Sequence, residues 1–138
     1  MSGTIEGTST PATIAVQRTL RWPVGGVVGS STLSGTSTLT NNWYFGDGGK
    51  GGLVQPPAFM NPSSTQHAEA SVFYVHDNGQ TYGQAVSIPP LRRVTMSPPP
   101  GMPDGGFAIQ VGSANLVNYV VERSMYSGAG FALGSTST

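Results

Sequence analysis

A chain of 138 residues with six basic and six acidic side chains is charged at only 9% of its positions, against about 25% in ordinary globular proteins. The length fits one domain with a real core, and the balanced charge offers no broad field to draw in nucleic acid or an anionic membrane. The absence of cysteine excludes disulfide scaffolds, thiol catalysis and Cys-ligated zinc. Twenty glycines and 11 prolines make up about 22% of the chain, just under the level at which disorder is the default. A hydrophobic content of 37%, with runs of Val, Ile, Phe and Tyr, points instead to many short strands joined by turns.

Residues 1–12 are Ser, Thr and Gly around a single Glu6 and read as an extended arm. They show neither a basic n-region nor an apolar h-region, so no secretory signal is expected. "TIAVQRTLRW" then alternates: Ile14, Val16, Arg18, Leu20 and Trp22 share one face, as in a half-buried strand that Pro23 and Gly25-Gly26 end. "STLSGTSTLT" echoes itself around Gly35, but it is too short for a repeat array and reads as two short strands. In "NWYF", alternation buries Trp43 and Phe45 and exposes Tyr44. "GDGGKGG" is a loop, and "LVQPPAFMNPSSTQ", with Pro56-Pro57 and Asn61-Pro62, reads as irregular and exposed.

The strongest hairpin follows. Val72 to Val75 is strongly β-prone, Asn78-Gly79 predicts a type I′ turn, and Tyr82 to Ile88 forms the return strand, stopped by Pro89-Pro90. "LRRVTM" is a short strand, and the proline-rich residues 97–106 are a stiff connector. Phe107, Ile109 and Val111 alternate in the next strand. "NLVNYVVERSMY" has an apolar spacing open to helix or strand, and its Val and Tyr content favours strand. A last apolar triplet precedes the hydroxyl-rich end. No run approaches the roughly 20 apolar residues needed to span a bilayer. The expectation is an all-β fold, an antiparallel β-sandwich or jelly-roll-like barrel of seven or eight short strands. Its parts are an arm over 1–12, one domain over 13–134 and a tail over 135–138.

Candidate chemistry is sparse. Gly49-Lys50 is followed by Gly51 rather than Ser or Thr, and no helix follows, so a Walker A phosphate loop fails; a dinucleotide fingerprint fails for want of a βαβ unit. His67 and His76 are nine residues apart without an H-x-H or H-E-x-x-H pattern, so no metal site is expected. There is no G-x-S-x-G elbow, and the six carboxylates are Glu6, Asp47, Glu69, Asp77, Asp104 and Glu122, several of them beside glycines in turns. The chain therefore reads as non-enzymatic, with no cofactor and no nucleic-acid or membrane partner. Trp43, Tyr44, Tyr82 and Tyr126 are candidates to stack on a glycan or partner, with Asp47 accepting hydroxyl protons. Arg92 and Arg93, on opposite faces of a strand, are candidate subunit contacts.

With its hydroxyl-rich arm "SGTIEGTST", short β segments, lack of cysteine and "GSTST" end, the chain resembles bacteriophage virion accessory proteins. These are capsid decoration (cement) proteins and small tail or fibre-tip modules. The resemblance lies in composition along the whole chain and rests on no residue motif, so no family site is carried over. It implies a virion location and a self-associating β-sandwich, a trimer foremost. Such a protein attaches to the major capsid or tail protein and stabilises the shell. The alternative it leaves is a receptor- or glycan-binding tip module.

Overall fold

The computed structural model describes residues 17–24, 27–36, 38–127 and 133–137. Among them there is no helix, and twelve strands form three antiparallel sheets. The strands are β1 (Gln17–Val24), β2 (Val27–Ser34), β3 (Asn42–Phe45), β4 (Gly49–Lys50), β5 (Leu53–Val54) and β6 (Pro57–Met60). They continue with β7 (Ala68–His76), β8 (Thr81–Ile88), β9 (Arg93–Thr95), β10 (Gly105–Ser113), β11 (Val120–Ser127) and β12 (Leu133–Ser137). One sheet runs β3-β10-β7-β8, with β4 on β10; the other runs β12-β11-β6-β9, with β5 on β11. The sheets do not close into a barrel, so the architecture is an all-β sandwich.

The core lies between these two sheets, and strand alternation supplies it. Along β7 Ala68, Ala70, Val72, Tyr74 and His76 are buried while Phe73 and Val75 are exposed. Phe107, Ile109 and Val111 of β10 and Phe45 of β3 continue that inner face, and Phe59, Val121 and Tyr119 meet it from the opposite side. The Tyr74 and Phe107 rings meet edge to face at 5.5 Å, a geometry aromatic pairs favour. The hairpin β1–β2 forms a third layer. Its Arg18 pairs with Glu122, which points away from the core between the buried Val121 and Arg123, and β2 lies beside β12. Burial first, then the charge of Arg93, hold the Arg18 guanidinium below its ordinary pKa.

Several expectations change. Pro23 does not end the first strand: it pairs with Val28 inside a two-stranded hairpin, where its missing N–H can face away from the partner. The region read as irregular and exposed contributes β5 and β6, and Phe59 is fully buried. Pro57 is compatible because it opens its strand, and its carbonyl accepts from the Met96 N–H at 3.0 Å. The β7–β8 turn is not type I′. Gly79 has φ 82° but Asn78 is not left-handed, and the Gly79 N–H bonds to the His76 carbonyl. That is a type I turn closed by a left-handed glycine, the usual three-residue hairpin loop. The ambiguous segment near the end is strand β11, and β12 reaches Ser137, inside the stretch read as a tail. The arm over 1–12 lies outside the described residues.

Candidate functional site

The glycine-rich loop is a structural clasp at one end of the sandwich. Gly49 and Lys50 pair with Gly106 and Gly105, and the Lys50 ammonium donates to the carbonyls of Pro99, Pro100 and Met102. The loop thereby ties the proline-rich segment to β10. Beside it the Arg123 guanidinium, 2% exposed, donates to Asp47 Oδ1 at 2.7 Å and lies 5.1 Å over the Phe45 ring. Gln55 Nε2 donates to the Gly49 carbonyl at 2.8 Å. Asp47 itself is mostly exposed, and the Arg123 hydrogen bond holds its carboxyl below the usual range. Its visible role is to balance a buried charge.

Three more carboxylates, those of Asp77, Glu69 and Glu122, also hold local structure. Asp77 accepts from the Gly106 N–H at 2.9 Å and sits 2.7 Å from His76 Nδ1. Gly105, at φ +147°, must be glycine, because a Cβ there would lie 2.7 Å from His76 Cε1. Glu69 accepts from the Ser87 hydroxyl at 2.6 Å, with His67 Nδ1 3.4 Å from the same oxygen. This set has the members of a nucleophile triad in the wrong order: the serine proton points to the carboxylate, not to the imidazole. Glu122 holds Arg18. Among the described residues no cluster of His, Asp and Glu could hold a metal ion, and no helix is long and apolar enough to cross a membrane.

The aromatic candidates do not converge. Trp43 packs against the core and donates to the Tyr119 carbonyl at 3.2 Å. Tyr82 is half-buried at the hairpin end, its hydroxyl donating to Gln80 Oε1. Tyr126 lies on the second sheet, facing the Arg18 side. Arg92 and Arg93 are exposed, and Arg93 stands opposite Met60 on the outer side of that sheet. Among the aromatic candidates Tyr44 is the exposed one, at 69%.

Tyr44 belongs to a surface that its own stretch of sequence does not reveal. Strand register places Tyr44, Gln110, Phe73 and Gly83 in one row across the outer face of the first sheet. Adjacent rows bring Asn42, Gly112, Ser71 and Ala85, then Ala108, Val75 and Thr81. Phe73 is 41% exposed and its ring lies over Gly83, where an added Cβ would touch it at 3.5 Å. One flat ring face is thus turned outward. The only charged side chain on this outer face among the described strands is Glu69, at its end. Alternation about the buried Val72 and Tyr74 already marks Phe73 as outward; its nearness to Tyr44 depends on β10 entering between β3 and β7.

No family model matches the chain, and no curated protein matches it either. Among solved structures, the crystal structure of Thermotoga maritima 1070 is similar, with a TM-score of 0.56 and 20% identity. The match covers 65% of this chain and 83% of that one, and at this identity the likeness is one of fold.

Proposed function

We propose that the chain is a non-enzymatic structural protein of a virion, a decoration or cement protein that self-associates and binds a major capsid or tail protein. The observation that supports this reading is the imbalance between the two outer faces. The second sheet carries the β1–β2 hairpin on part of its outer side, with Arg18 on Glu122 and β2 beside β12, whereas the first presents Tyr44, Phe73, Val75, Ala85 and Ala108 with almost no charge. A face of this kind gains by being covered, and small residues beside Phe73 leave hollows for a neighbour's side chains. Compositional resemblance supports the virion setting, and the structural use of the carboxylates favours a non-catalytic role. Light scattering after gel filtration tests the reading. The expected result is a stable oligomer, a trimer foremost, reduced to a folded monomer by Phe73→Asp. A dimer would mean that the face meets its own copy across a twofold axis. A wild-type monomer at every concentration that also fails to bind purified shells would overturn the proposal.

One observation favours a second reading. Tyr44 and Phe73 flank the Gln110 amide at two strand spacings, about 10 Å apart, which suits a neutral glycan stacking on two rings with hydroxyls on the amide. Retardation in gels containing neutral polysaccharide, lost in Tyr44→Ala and Phe73→Ala, would establish it.

A further inference from the structure

The edges of the two main sheets are unequal. Among the described strands, β3 and β4 end the first sheet on one side with four and two residues. In the second sheet β9 is three residues long and includes Arg93, and β12 lies beside β2. The edge strand β8 differs from all of these. Its eight residues include no charge and no proline, and its register with β7 is unbroken from Ala68↔Ile88 to Val75↔Thr81. Short length, charge, proline and bulges are what keep a sheet edge from pairing with another chain, and β8 has none of them. The phase of the ladder shows which groups are open. The His76 N–H donates to the Gln80 carbonyl at 2.9 Å, so the even-numbered residues of β8 bond to β7. Thr81, Gly83, Ala85 and Ser87 turn their N–H and C=O groups to the free edge. No described backbone group meets them there.

We propose that β8 pairs with β8 of a second copy, antiparallel across a twofold axis, so that the first sheets of two copies run on as one. Register and chemistry both select a second copy as the occupant. The register that uses all four open residues pairs Thr81 with Ser87 of the copy and Gly83 with Ala85 of the copy, and it sets the axis at Gln84. On the outer side only small, uncharged side chains then face one another, so the strand tolerates its own copy. On the inner side the two Gln84 side chains stand directly opposite. Gln84 Oε1 is shielded from solvent and accepts no hydrogen bond from a described residue, although buried polar atoms ordinarily have a partner. With each amide turned toward the axis, Nε2 of one donates to Oε1 of the other. That reciprocal pair needs the same residue at the same place in the partner. The contact lies in the plane of the sheet and leaves the outer face open, so it does not depend on association through Tyr44 and Phe73. It is smaller than a standard interface and forms in concentrated protein, not in dilute gel filtration.

Amide hydrogen exchange of the full chain, read residue by residue by NMR, tests the proposal. Exchange at Gly83 and Ala85 should slow about threefold or more between about 0.02 mM and about 1 mM protein, as the edge groups become bonded. Gln84→Glu and Gln84→Lys should each abolish this effect, because like charges then face each other across the axis, and an equimolar mixture of the two should restore it. Ala85→Pro keeps the test decisive if a charge at position 84 unfolds the chain. It removes an edge N–H while the β7 ladder keeps its bonds, and exchange at Gly83 should no longer depend on concentration. Three results would each overturn the proposal: no concentration dependence at these amides in the wild type, dependence retained in Ala85→Pro, or a mixture of folded charge variants that behaves no better than either alone.

Discussion

At the scale of single residues, the most consequential group is Arg123. Its guanidinium is buried between the sheets, with Asp47 at 2.7 Å and the Phe45 ring beneath it. A buried cation deprived of its partner destabilises a fold much more than an intact pair stabilises it. Asp47 is largely solvated, so removing it opens Arg123 toward water and the loss is moderated. Asp47→Asn should lower stability by about 1 kcal/mol at neutral pH, measured by urea unfolding. The folded-state pKa of Asp47 is depressed, first by the Arg123 hydrogen bond. Its contribution is therefore present above the unfolded carboxylate value, roughly 4, and lost as pH falls through the lower folded value. The wild type should lose stability below about pH 4, and Asp47→Asn should lose less over the same interval. Parallel acid limbs in the two proteins would show that the pair carries no such linkage. The sequence placed Asp47 in a loop as a possible glycan contact. Its actual partner lies 76 residues away, beyond what local pattern can show.

At the scale of elements, legibility divides along the same line. The alternation of β7 and β10, the exposed Tyr44 between Trp43 and Phe45, and the site of the β7–β8 turn were readable, because each follows from period-two geometry or from glycine in a turn. The turn type was not, because Asn78-Gly79 fits more than one loop length and the register of Val75 opposite Thr81 selects the longer. Strand β6 was hidden because Pro56-Pro57 looks like punctuation, although Pro57 merely opens the strand. The joint of β7 and β10 was equally hidden. There the buried His76 ring abuts Gly105, which tolerates no Cβ. Gly105→Ala should cost about 2–4 kcal/mol from backbone strain and overpacking together. Adding His76→Ala should recover at least about 1 kcal/mol of that loss, because it removes the ring that the new methyl meets. Strictly additive effects in the double-mutant cycle would assign the whole cost to the backbone.

At the scale of the whole molecule, the charge balance and the open sheet face bear on one another. Six cations and six anions leave no net repulsion between copies, and the face built around Tyr44, Gln110 and Phe73 carries almost none of these charges. If copies associate through it, apolar contact drives the association and screening has little to act on. The oligomer mass should then be the same at about 0.05 M and about 0.5 M salt. The oligomer should weaken on cooling from about 25 °C to about 5 °C, because apolar burial loses driving force at low temperature. Arg92 and Arg93, the contacts suggested by the sequence, would behave oppositely: ion pairs across an interface loosen as salt rises and survive cooling. Sedimentation velocity over both variables separates the cases. Salt-driven dissociation that Arg92→Ala or Arg93→Ala reproduces would move the interface to the β9 side of the molecule and free the sheet face for the glycan reading.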